Sequence, residues 1–176
     1  FEVNLSLGGA LPVSSEKIEV RDGMPDLNTM VEIGPGLIWH ITPKSKKYRF
    51  KLSLNIPIRW TYSIDFDRTD DRGAVINPFL FGFGKVYKKL QIFYFASYRW
   101  ASREFQTTFF EVEPKFAREG RPAYRAKRGS VLSSLGMGFS YNFENRYQGF
   151  VGYSHDNYTQ NPNRDSPLYQ TNDTYT

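Results

Sequence analysis

KYRFKLSLNIPIRWTYSIDF, residues Lys47 to Phe66, alternates apolar and polar side chains along its whole length. Tyr48, Phe50, Leu52, Leu54, Ile56, Ile58, Trp60, Tyr62, Ile64 and Phe66 share one face; Lys47, Arg49, Lys51, Ser53, Asn55, Pro57, Arg59, Thr61, Ser63 and Asp65 share the other. A period of two is the repeat of a β-strand. Strands of soluble sheets usually run about 5–6 residues, whereas a strand crossing the hydrocarbon of a bilayer needs about 9–11. This stretch is long enough to cross. Its apolar face also grades from aromatic (Tyr48, Phe50) through aliphatic (Leu52 to Ile58) to aromatic again (Trp60, Tyr62), the order expected of rings at two lipid–water interfaces. The segment reads as a transmembrane strand; a long strand in a soluble all-β binding module is the alternative.

Further alternating stretches lie on both sides of it. Phe1, Val3, Leu5 and Leu7 face away from Glu2, Asn4, Ser6 and Gly8, and Val31, Ile33, Leu37 and Trp39 face away from Glu32, Gly34, Gly36 and His40. NPFLFGFGKVY sets Phe79, Phe81 and Phe83 against Gly82 and Gly84, and a tight turn at Lys88-Lys89 leads to LQIFYFASYRW, apolar at Leu90, Ile92, Tyr94, Ala96, Tyr98 and Trp100. FQTTFFEVE reads as another strand start, and SVLSSLGMGFSYNF sets Leu135, Met137, Phe139 and Tyr141 against Gly136 and Gly138. The expected loops are 12–27, 66–73 (DRTDDRG, read as solvated), 114–129 and 157–170. Gly82, Gly84, Gly136 and Gly138 are expected on the inner face, where small residues let a narrow barrel close. The whole chain, 1–176, reads as one all-β domain, an antiparallel barrel of the outer-membrane type.

Composition fits that class. The mean hydropathy is -0.53, and no run of about 18 apolar residues occurs, which excludes helical membrane spans. A barrel with a polar interior and polar loops averages as hydrophilic while still presenting an apolar outer band. Aromatic residues make up 17% of the chain, and tyrosine in particular suits a surface wet at one end and apolar at the other. The net charge of +5 raises nucleic-acid binding, but the basic side chains alternate with large apolar ones or cluster in a loop instead of forming a patch, so no nucleic-acid partner is expected.

The chemistry-bearing residues do not assemble into a known reactive pattern. Ser154, His155 and Asp156 are adjacent in sequence, whereas a triad meets in space from separated positions. His40 is the other histidine and there is no cysteine, so no zinc site is expected. Asp67, Asp70 and Asp71 lack the spacing of a calcium loop, and Gly82-Phe83-Gly84 is not followed by the Lys-Ser/Thr helix of a phosphate loop. No catalytic residue, cofactor or metal is expected. The candidate constellation is a set of inward charges: Glu2 and Glu32 against Lys47, Arg49, Lys51, Arg59 and Arg99. Paired, they would plug the interior, since unpaired buried charge is costly; unpaired in a wider barrel, they would line a small anion-preferring channel. The expected outer girdle is Tyr48, Phe50, Leu54, Trp60, Tyr62 and Trp100.

At RDGMPDLNTMVEIGPGL (21–37), FFEVEPKFAREGRPAYRAKRG (109–129) and RDSPL (164–168) the sequence resembles the MipA/OmpV family of Gram-negative outer-membrane proteins, named for an MltA-interacting protein. The resemblance implies a non-enzymatic barrel in outer-membrane lipid. It also implies a scaffold that links a periplasmic, murein-cleaving lytic transglycosylase to a murein-synthesising penicillin-binding protein. By that likeness the chain lacks N-terminal strands and the end of its last strand. With FQTTFFEVE counted as a strand, the alternation of turns puts Pro114 to Arg128 on the periplasmic side. Phe116, Arg118, Arg121, Tyr124 and Arg125 of this basic segment are then the expected partner contacts, because Arg and aromatic side chains anchor interfaces.

Overall fold

The computed structural model describes residues 1–42, 49–65, 68–143 and 147–175. Its strands are β1 (Glu2–Ala10), β2 (Thr29–His40), β3 (Phe50–Asp65), β4 (Arg68–Ile76), β5 (Phe79–Tyr87), β6 (Leu90–Ala101), β7 (Gly129–Phe143), β8 (Tyr147–Asn157) and β9 (Asp173–Tyr175), with one helix, α1 (Arg103–Phe110). All pairs are antiparallel and form one sheet in the order β1-β2-β3-β4-β6-β7-β8-β9, with β5 between β3 and β6 below β4. β4 and β5 are two pieces of one stave. Ile58 pairs with Ile76 and Asn55 with Phe79, so Asn77-Pro78 only interrupts the ladder, at a residue that has no N–H to donate. Among the described residues β1 and β9 are not paired, and the sheet is open between them.

The sheet is strongly curved. Arg99 of β6 bonds Glu32 of β2 although β3 and β4 lie between these strands. Phe50, Leu54, Trp60, Tyr62 and Trp100 point to the convex side, where Trp60 is 47% exposed. Tyr48, Phe66 and Lys47 lie outside the described residues. Among the described residues no helix is long and apolar enough to cross a membrane.

Three sequence expectations are corrected here. DRTDDRG is not a loop: Arg68 onward forms β4, pairing with β3 from Asp65↔Arg68 to Ile58↔Ile76. Alternating charges satisfy one another along an exposed strand end, Arg68 Nε–Asp70 Oδ1 at 2.6 Å and Arg72 Nη2–Asp70 Oδ2 at 3.3 Å. Gly73, at φ 81°, takes the left-handed turn of the bulge there, a conformation that favours glycine. Second, FQTTFFEVE starts no strand but supplies most of α1. The Ser102 hydroxyl accepts from the Phe105 N–H to cap it, and Phe105 and Phe109, one helical turn apart, pack on Val75, Ala101 and Val131. A short apolar run of this kind is ambiguous by periodicity alone. Third, Gly82 and Gly84 lie on the convex face. Register pairs Phe81 with Ser53 and Phe83 with Lys51, and directly opposed residues share a face, so the rings turn inward. Outside, Tyr94 and Phe50 lie across Gly82 and Gly84.

With α1 in place of a strand, the connections sort by end. Segments 11–28, 102–128 and 158–172 all leave one end of the sheet, where β3 also ends and β4 begins; β2 ends and β3 begins at the other, as β5 gives way to β6 and β7 to β8 there. The segment 114–128 therefore shares an end with the other long connections, and the parity that put it among the short turns does not hold.

Candidate functional site

The concave face near the long connections carries an ion cluster. Glu32, side chain 4% exposed, places Oε2 3.3 Å from Arg59 Nη1 while Oε1 accepts from Arg99 Nη2. Arg59 Nε also donates to Ser6 Oγ of β1 at 2.9 Å. Arg99 lies beneath the Phe105 ring of α1, 5.3 Å from its centroid, an arrangement in which the ring face attracts the guanidinium. Three strands thus meet at the Glu32 carboxylate, and β1 and the helix join the cluster through Arg59 and Arg99. The other inward charges stand apart. Glu2 Oε2 lies 3.2 Å from His40 Nε2 at the opposite end of β2. Lys51 Nζ sits over the Phe83 ring at 5.9 Å, and Arg49 donates to the carbonyls of Lys85 and Val86.

Above the cluster the three long connections form a cap. From segment 11–28, Arg21 is buried and donates to the Thr108 and Phe109 carbonyls at the end of α1 (3.4 Å each), to Pro25 O and to Ser15 Oγ. Arg121 donates to Val20 O (3.1 Å), Asp22 O (2.8 Å) and Phe116 O. Arg118 pairs with Asp22 Oδ2 at 3.3 Å. Burial first, and the neighbouring guanidinium second, hold both Arg21 and Arg121 below the ordinary arginine range. From segment 158–172, buried Asn163 accepts from the Lys127 N–H (2.7 Å) and donates to Lys127 O (2.9 Å), and Tyr124 Oη lies 3.3 Å from its Oδ1. Ser166 Oγ donates to Phe110 O at 2.7 Å.

Of the five expected partner contacts, Arg118, Arg121 and Tyr124 thus make bonds inside the cap, Phe116 is half-buried, and Arg125 is exposed. Arg21, Gln106, Asn161, Asn163 and Ser166 were not anticipated as site residues. Their signal in the sequence is indirect: each is polar, lies in or beside one of the three motif stretches, and is buried, and a buried polar group needs a partner. The three motif stretches, far apart in sequence, converge on this cap.

On β8, Ser154 pairs with Gly136 on the concave face while His155 pairs with Leu135 on the convex one. His155 Nε2 lies 2.8 Å from Asp173 Oδ1 and its ring stacks on Tyr175 at 4.7 Å, so Ser154 and His155 do not address each other. Among the described residues no group of His, Cys, Asp and Glu is placed to hold a metal ion.

An antiparallel, barrel-type sheet with an apolar convex face and a charged, capped concave face defines the structural class. The family model described as MltA-interacting protein MipA matches residues 1–176. The chain belongs to the MipA family. No curated protein and no solved structure matches it.

Proposed function

We propose that the chain is the wall of an outer-membrane barrel that works as a non-enzymatic scaffold. In this reading it links a murein-cleaving lytic transglycosylase to a murein-synthesising penicillin-binding protein at the membrane. The observation that carries the reading is the convex face, apolar along staves of 9–16 residues with rings toward both ends, as a lipid-facing surface requires. The family's name, MltA-interacting protein, supplies the partner class. Long connections of such barrels are external and short turns periplasmic. That rule moves the partner surface from Phe116, Arg118, Arg121, Tyr124 and Arg125 to the short-turn end, where Arg49, Lys85, Lys88 and Lys89 are all exposed. A basic face of this kind suits an acidic partner surface or murein carboxylates, and its attraction falls with salt. The anion-channel alternative draws less support, because Arg59 and Arg99 are both engaged by Glu32 beneath the cap.

Two variants per claim test it. A charge at mid-bilayer on a lipid face costs about 2–4 kcal/mol, so Leu54→Arg should impair heat-modifiable folding and Ser53→Arg much less. Equal effects would remove the lipid from the account. For the partner, reversing Lys85, Lys88 and Lys89 to Glu should abolish salt-sensitive recovery of lytic transglycosylase from solubilised envelopes while the barrel stays folded. Deleting Arg118 to Arg125 should leave that recovery intact; the opposite pattern would return the partner surface to the cap.

A further inference from the structure

Between the cap and the ion cluster lies a chamber of about 430 Å³, within the range of about 300–1,000 Å³ that small-molecule sites occupy. Its walls are apolar: Leu27 from the first long connection, Met30 from β2, Phe109 from α1, Leu132 from β7 and Leu168 from the last connection. Its charged lining is cationic in balance. Arg21 and Arg99 face one carboxylate, Glu32, and that carboxylate is also shared with Arg59. Arg21 itself is held by carbonyls and a hydroxyl; among the described residues no carboxylate accepts from its guanidinium, and Asp26 acts on it only through space. Gly9 and Ala10, at the end of β1, also line the chamber.

We propose that this chamber is a binding site for an amphipathic anion, a carboxylate carried on a single alkyl chain. The chain lies among Met30, Phe109, Leu132 and Leu168, where burial of apolar surface favours it by roughly 25 cal/mol per Å². The head group takes the guanidinium charge that Glu32 leaves uncompensated, as a charge-assisted hydrogen bond. At about 30 Å³ per heavy atom, the share of one water in the liquid, a ligand the size of decanoate needs about 360 Å³ and fits the chamber.

The test is calorimetric titration of the chain, folded in amphipol, with decanoate and with decyltrimethylammonium, which carry the same tail and opposite charges. Titrations into empty amphipol are subtracted. Decanoate should bind at least about tenfold tighter than the cation, a difference of about 1.4 kcal/mol. Arg99→Gln should erase most of that preference, and Leu132→Glu, which sets a carboxylate directly opposite Arg99, should abolish decanoate binding with heat-modifiable folding kept. Equal binding of the two amphiphiles, no binding of decanoate, or undiminished binding in folded Leu132→Glu protein would each overturn the proposal. The comparison of the two ligands on the unmutated chain decides the charge preference even if a variant fails to fold.

Discussion

Toward the short-turn end the concave face is filled by the rings of Phe81, Phe83, Phe93 and Phe95, whereas toward the long-connection end it is filled by Arg59, Glu32 and Arg99 beneath α1. The rings meet across adjacent strands: Phe81 opposes Phe95, Phe83 opposes Phe93, and these pairs extend over Gly136 and Gly138 of β7. Each glycine leaves the space a ring occupies; a Cβ at Gly136 would sit 2.4 Å from Phe95 Cε1. This filling needs only neighbouring strands in register. The ion cluster instead ties β6 to the neighbouring strands β1, β2 and β3, and β6 reaches Glu32 of β2 only because the sheet curls. One half of the interior is therefore fixed by pairing and the other by curvature, and they should fail differently.

The largest separation should come from Glu32→Gln. Removing one partner of a buried ion pair leaves the others uncompensated and typically costs about 3–5 kcal/mol. Urea unfolding in micelles should show a loss toward the low end of that range, since Arg59 and Arg99 keep some solvent contact. Protease sites in the cap should open at lower urea than the β5–β6 turn. A uniform loss across both halves would mean that they form one cooperative unit.

A smaller effect is expected from Gly138→Ala in the ring-filled half. The added methyl would lie 2.5 Å from both Phe93 Cζ and Val151 O, and overpacking of this kind costs about 1–3 kcal/mol. The same unfolding measurement should show cap sites protected as before. If the cap loosens first, the halves are coupled through the strands.

The smallest effect is a pH dependence confined to the cap. Burial, and then the charge of Asp165, raises the Tyr124 phenol above its ordinary value; burial is also the main cause that raises Tyr169. A raised phenol means that the folded cap favours the neutral form. That contribution is complete below the unfolded tyrosine value of about 10 and is lost as pH rises through the folded one. Subtilisin cleavage within 114–128 should therefore increase above about pH 10, and Tyr124→Phe should push the increase to higher pH. Cleavage independent of that substitution would place the sensitive group elsewhere.

Strict alternation from Phe50 to Asp65, with its counterparts in β1, β2 and β6, determined from sequence alone which residues face each way. It placed Glu2, Glu32, Arg59 and Arg99 on the inner face, because the two sides of a strand follow from period two. Tertiary structure decided which of those charges meet: Glu32 reaches Arg99 and Arg59, whereas Glu2 meets His40 and Arg49 meets backbone carbonyls. Alternation says nothing about curvature or about which strands face one another across the interior. Register decided that Phe81 and Phe83 turn inward, because the glycines between them are equally compatible with either side until Ser53 and Lys51 are set opposite the rings. Residues 105–110 became a helix through the Ser102 cap and the contact of Phe105 with Val75 and Ala101. That contact exists only once β4 and β6 are side by side, and it carries the three motif stretches to the same end of the sheet.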